Sequence, residues 1–190
     1  MQNDLTNSML WRRLDHAGHE SARLFFRDGL WNLEGTAVFC HEQLACRLNY
    51  DIVCDSRWLT RSARIAGWVG NQVIEIEIAA SPHHNWRLNE KNIPEVAGCI
   101  DLDLDFSPSP NLLPIRRLDP GVGEEMEVRA AWLRFPGFEL EPLIQLYRRT
   151  SDTSYLYQSS GGKFVTEITV NSSGFVSEYP NLWQAETGNC

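Results

Sequence analysis

Apolar residues recur at every second position of this chain, segment after segment, and that period admits strands and little else. Cys46, Leu48, Tyr50, Ile52 and Cys54 alternate with Arg47, Asn49, Asp51, Val53 and Asp55, and Ile74, Ile76 and Ile78 alternate with Glu75 and Glu77. Met126, Val128, Ala130 and Trp132 share one parity, as do Phe164, Thr166, Ile168 and Val170. Successive side chains of a strand point to opposite faces, so each run predicts one buried face. Turn residues separate the runs: Asp28-Gly29, Gly70-Asn71, Ser160-Gly161-Gly162, and Asn171 to Gly174. No segment carries a convincing helical stripe, although His41 to Leu48 has room for a helical turn. The spacing predicts an all-β fold of roughly ten to twelve strands. Short connections in chain order imply an antiparallel meander that curls on itself. No linker or repeat divides residues 1–190, so a single domain is expected, with residues 1–9 poorly ordered.

The strictest alternation lies at the middle of the chain. Ile100, Leu102, Leu104 and Phe106 fall on one parity and Asp101, Asp103 and Asp105 on the other. Three carboxylates along one strand face must be solvated by water or neutralised by cations. Pro108, Pro110 and Pro114 end the strand, and Arg116 and Arg117 follow. An Asp stripe paired with Arg is therefore the expectation. From Arg57 to Ile65 neither parity is cleanly apolar, which suits a strand that lines a partly polar cavity or an edge strand.

Composition narrows the function classes. A net charge of -8 argues against a nucleic-acid partner and against attraction to an anionic membrane surface. No apolar run approaches the ~20 residues of a spanning helix, so stable membrane insertion is not expected. The polar start MQNDLTNSMLWRRLD is unlike a secretory signal, and five irregularly spaced cysteines read as reduced thiols, which together point to the cytoplasm. The cations are 15 Arg and 2 Lys, and Arg holds carboxylates and phosphates as a planar fork.

Motifs for catalysis or metal binding fail on inspection. An EF-hand loop begun at Asp101 would need Gly and Glu where Phe106 and Leu112 stand. Asp-x-Asp spacing overlaps the carboxyl separation of inverting glycosidases, but no βα alternation supports such a barrel. Ser160-Gly161-Gly162-Lys163 spells S-x-x-K, yet its two glycines mark a hairpin turn. His83-His84 and His16-Ala17-Gly18-His19 lack metal-ligand spacing. No catalytic residue, metal ligand or cofactor is assigned.

Several segments together resemble a known family of bacterial proteins, the glycolipid-binding family. They include Trp11-Arg12-Arg13-Leu14-Asp15, Gly18-His19-Glu20-Ser21-Ala22, and Leu48 to Asp55. Trp58-Leu59-Thr60-Arg61, Gly98 to Leu104 and the specific stretch Ser107 to Leu118 continue the pattern, which closes with Ala131-Trp132-Leu133, Tyr155, Tyr157, and Tyr179-Pro180 with Trp183. The resemblance implies a spiral β-roll, an incompletely closed curled sheet, and the binding of a glycolipid. It brings no catalytic set.

Parity and chemistry then nominate the site. Asp101, Asp103, Asp105, Thr60, Arg61, Arg64, Asn111 and Arg116 would hold a polar head group, and Trp58, Trp132, Tyr155 and Tyr157 would line the part that takes an acyl chain. The expected partner is a lipid or glycolipid-like small molecule. A hydrolase of sugars or sugar-lipid esters acting through Asp101 and Asp103 is the alternative, and a protein-interaction module without a small ligand is the third reading. Oligomeric state is left open.

Overall fold

The computed structural model describes residues 7–186, and strands take up 59 % of them. The first half runs β1 (Asn7–Arg13), β2 (Gly18–Arg27), β3 (Leu30–His41), β4 (Leu44–Cys54), β5 (Thr60–Val69), β6 (Gln72–Ala80), β7 (Trp86–Leu88) and β8 (Lys91–Asn92). The second runs β9 (Asp101–Leu104), helix α1 (Leu112–Leu118), β10 (Glu125–Leu133), β11 (Leu140–Arg149), β12 (Ser154–Ser159), β13 (Phe164–Val170), β14 (Val176–Tyr179) and β15 (Trp183–Ala185). The 15 strands of the described residues exceed the expected number because β7, β8 and β15 are too short to show a period. Of the stretch expected to be poorly ordered, residues 1–6 lie outside the described residues, while Asn7, Ser8 and Met9 belong to β1.

All strands form one sheet in the order β8-β7-β6-β5-β4-β3-β2-β1-β15-β14-β13-β12-β11-β10-β9, which is not closed into a barrel. Two meanders are thus joined at β1 and β15, with Trp11 opposite Ala185 and Arg13 opposite Trp183. Every pairing is antiparallel except β9 on β10. The buried parities are those of the sequence: Cys46, Leu48, Ile52 and Cys54 are inside, as are Ile74, Ile76 and Ile78.

Three local departures have physical causes. His41 to Leu48 is a hairpin, because Glu42 and Gln43 both take positive φ and so form a two-residue turn that matches strand twist. The mixed parity of Arg57 to Ile65 comes from a bulge: Cys54 faces Thr60 while Val53 faces Ser62, so the buried residues Thr60 and Ala63 are three apart. Helix α1 forms despite its proline. Pro114 lies in the first turn, where an N–H would have no partner in the helix.

The two meanders curl around the segment from β9 through α1. Both faces of β9 are covered: Leu102 and Leu104 are about as buried as Asp101. The Leu102 N–H donates to Thr60 Oγ1 on β5 at 3.3 Å, and Trp86 Nε1 on β7 donates to the Cys99 carbonyl at 2.8 Å. Phe106, Leu112, Leu113 and Ile115 then fill the interior.

Polar anchors fix this inner segment. Arg117 clasps Asp101 with two bonds of 3.1 and 2.6 Å, and the Tyr147 hydroxyl donates to Asn111 Oδ1 at 2.8 Å. The deepest anchor is Glu20, whose Oε1 accepts from the Tyr50 and Ser107 hydroxyls at 2.6 Å each. Ser109 Oγ lies 2.6 Å from the Tyr50 hydroxyl and 2.9 Å from Ser107 Oγ. Burial pushes the Glu20 carboxyl up to about 8, against the opposing pull of Ser107, Tyr50 and Arg13. To reach Glu20 on β2, the Tyr50 ring on β4 crosses over β3 at Gly35, where a Cβ would overlap the ring.

Gly35→Ala should therefore lower stability by roughly 1–3 kcal/mol in urea unfolding, while Val38→Thr, exposed on the same strand, stays within about 0.5 kcal/mol. An unchanged midpoint for Gly35→Ala would refute the crossing. Glu20 makes a pH prediction as well. An acid whose pKa is raised by folding holds its proton more tightly when folded, so its stabilisation is complete below its ordinary range and is lost as pH climbs to about 8. The urea midpoint of the protein should fall between about pH 5 and pH 8, and Glu20→Gln should flatten that fall. A fall of equal size in the variant would place its origin elsewhere.

Candidate functional site

At the end of the sheet where β9 leaves for the interior, a cavity of about 260 Å³ opens between the inner segment and the second meander. Its floor is buried: Ser107, Asn111, Tyr157, Tyr179 and Trp183. Its rim is more exposed, with Asp105 and Ser160 at the surface and Trp132, Leu143, Phe164 and Leu182 half-buried. Strand alternation explains the lining. Asp103 pairs with Trp132 across β9 and β10, so both project to the same face.

A hydrogen-bond chain organises the polar side. Gln145 Nε2, on β11, donates to Asp103 Oδ2 at 2.6 Å and to the Tyr157 hydroxyl at 3.0 Å. The hydroxyls of Tyr157, Tyr179 and Ser159 interact in turn. Burial pushes the Asp103 carboxyl up to about 7, with Gln145 opposing and the neighbouring Asp105 charge reinforcing the shift. Asp105 is also raised, chiefly by burial, although the Phe135 N–H donates to it at 3.1 Å. Aromatic rings supply the remaining walls. Tyr157 meets Tyr179 edge-on at 6.0 Å and Phe164 at 6.1 Å, and Phe164 meets Tyr179 at 6.1 Å. Trp132 and Trp183 each carry an arginine over the ring, Arg134 at 5.3 Å and Arg13 at 5.1 Å. The cavity thus combines hydrogen-bond acceptors, hydroxyls and ring faces, the equipment for a polyol with a C–H face.

Five of the twelve residues nominated from the sequence meet here: Asp103, Asp105, Asn111, Trp132 and Tyr157. The other seven lie elsewhere. Asp101 is 1 % exposed and clasped by Arg117. Thr60 is buried beneath β9. Trp58 stacks on Trp31 at 4.2 Å with Arg116 5.5 Å above its ring, at another place in the fold. Arg61 is bound to Asp55 at 2.6 Å. Tyr155 faces Arg149 at 5.8 Å. Arg64 lines a separate, larger hollow of about 550 Å³ on the outer sheet face. In that hollow Arg23 and Glu34 satisfy each other at 2.6 Å, and its only aromatic ring is Tyr50.

The expected pairing of all three aspartates with Arg holds for Asp101 alone; Asp103 uses Gln145 and Asp105 a backbone N–H. Of the residues expected to line an acyl chain, Trp132 and Tyr157 meet at this cavity, while Trp58 and Tyr155 do not. Two residues escaped sequence reasoning although each left a signal. Glu20 shares parity with the apolar Ala22 and Leu24, and Gln145 shares parity with Leu143 and Tyr147. A polar side chain on a buried parity must have a partner, and that marks it. Among the described residues no group of His, Cys, Asp and Glu is placed to hold a metal ion, and no helix is long and apolar enough to cross a membrane.

No curated protein matches this chain. Among solved structures, it is similar to the crystal structure of a DUF1089 family protein from Pseudomonas aeruginosa, with 28 % identity and a TM-score of 0.77 over 87 % of this chain and 91 % of that one. The family model described as "Putative glycolipid-binding" matches residues 8–185. That match spans both meanders, the inner segment and every wall of the cavity, and the chain belongs to this family.

Proposed function

We propose that this protein binds the sugar head of a glycolipid-type amphiphile in the cavity between Asp103 and the two tryptophans. The observation that carries the reading is the Asp103–Gln145–Tyr157 chain: a buried, mutually oriented set of polar groups that faces an open space instead of packed side chains. Sugar hydroxyls donate to carboxylates, and the ring faces of Trp132 and Trp183 suit the apolar side of a pyranose. The thiols of Cys40, Cys46, Cys54 and Cys99 are free, which suits a protein that works in the cytoplasm. Hydrolysis through Asp101 and Asp103 has less support, because both Asp101 oxygens are engaged by Arg117. The second carboxyl of the cavity, Asp105, stands at the exposed rim and accepts from the Phe135 N–H.

Titration calorimetry with a panel of purified glycolipids and alkyl glycosides tests this. At least one should bind, and Asp103→Asn and Trp132→Ala should each weaken it by roughly 1–3 kcal/mol, the scale of one charge-assisted hydrogen bond or one ring contact. Failure of the whole panel to bind would leave the protein-interaction reading ahead. Affinity should also depend on pH. Hydroxyl donors favour the ionised carboxylate, so binding strengthens as pH rises through about 7, by about tenfold between pH 6 and 8. Asp103→Asn should abolish that slope, and a slope of opposite sign would mean that the ligand accepts a proton from Asp103.

A further inference from the structure

Resting on the reading of the cavity as a sugar site, we propose that the protein takes up a single uncharged sugar ring and leaves the acyl chain of its ligand outside the fold. Space is the first argument. The interior that could have swallowed a hydrocarbon tail is filled by the chain itself, with Phe106, Leu112, Leu113 and Ile115 none more than 5 % exposed. The cavity beside this filled interior is about 260 Å³. That is below the ~300–1,000 Å³ of pockets that enclose drug-sized ligands, a size that suits one sugar ring better than a ring together with its acyl chain. The floor is closed by Tyr157, Tyr179 and Asn111, and each hydroxyl or amide there is tied to a neighbour. A tail has no apolar passage inward. The half-buried apolar groups, Leu143, Phe164 and Leu182, stand at the rim instead, where a glycosidic link would leave the cavity.

Charge is the second argument. No Lys, Arg or His lines the cavity, whereas two aspartates do. The nearby guanidinium groups have acids of their own. Arg13 is bound to Asp15 at 2.7 Å through Nε, with its Nη1 buried and unpaired behind Trp183, Arg134 faces Glu141 at 3.3 Å, and Arg117 is committed to Asp101. A phosphate, sulfate or uronate would enter beside like charge with no cation in the lining to receive it. Neutral hydroxyls meet the same carboxylates as donors and form charge-assisted bonds.

Calorimetry on the full chain separates the possibilities. Methyl glycosides of glucose, galactose, mannose, rhamnose and xylose identify the ring that binds. Its hexyl and octyl glycosides, used below their micelle concentrations, should bind within about threefold of the methyl form, because a tail buried in protein would gain about fourfold per methylene. A phosphorylated or uronic acid form of the same ring should bind at least about tenfold more weakly. Affinity that climbs about fourfold per methylene would place the chain inside the protein and overturn the inference while leaving the sugar site standing. Equal or tighter binding of the anionic ring would overturn the uncharged head group. If no ring binds in any form, the sugar reading falls and the inference with it.

Discussion

The structure depends on one short seam. β1 and β15 share only three register pairs, extended by the Leu14 N–H to the Leu182 carbonyl and the Glu186 N–H to the Leu10 carbonyl. Without that seam the sheet would be two separate meanders, linked only through the inner segment that both contact. With it, the apolar faces of both halves close over the same interior. Trp11 stands at the seam and ties it inward: it is fully buried, its Nε1 donates to the Val176 carbonyl at 2.6 Å, and it packs edge-on against Phe175 at 5.5 Å. Pairings between such distant parts of a chain are entropically costly to form and slow to find. The polar anchors within the interior act only once the seam has closed around them.

The interior shows how one sequence pattern can serve three different ends. Asp101, Asp103 and Asp105 are equivalent by parity, yet one is a structural clasp, one a cavity carboxylate and one a rim acceptor. The difference comes from what faces each residue. Asp101 lies opposite the end of α1, Asp103 opposite β11, and Asp105 beside the loop after β10. Burial raises the pKa of all three, and only Asp101 has a bound guanidinium to offset it. The low-dielectric surroundings that make an unpaired carboxylate costly also make it a strong acceptor for an incoming hydroxyl.

The long strands, their hairpin connections and the buried parities were legible in the sequence because each is a local property of period and turn. Cys46 to Cys54 and Ile74 to Ile78 show this, and their residues lie where alternation puts them. The β1–β15 and parallel β9–β10 pairings join distant segments and leave no local signal. The helix was hidden because Pro114 reads as a breaker, although its place in the first turn makes it harmless. The bulge at Arg61 was hidden because it inserts one residue into a parity that otherwise looks polar on both sides. The site was half legible. Asp103, Asp105, Asn111, Trp132 and Tyr157 lie close to the inner segment or on β10 and β12 and converge. Trp58, Arg61, Arg64 and Arg116 were grouped with them by parity and chemistry, and no local pattern says that these residues project to other parts of the fold.

The seam also sets an order of events in the cell. β1 is the first of these strands to be made and β15 the last, so one side of β1 has no partner until β15 emerges. An open strand edge is a template for pairing with a neighbouring nascent chain. Arg12 is exposed near the end of β1, and a charged side chain on an open strand disfavours pairing with another chain. The guard is relieved when β15 arrives: Glu186 then lies 3.5 Å from Arg12. The positive end of β1 thus keeps the strand available to one partner, which the ribosome delivers last.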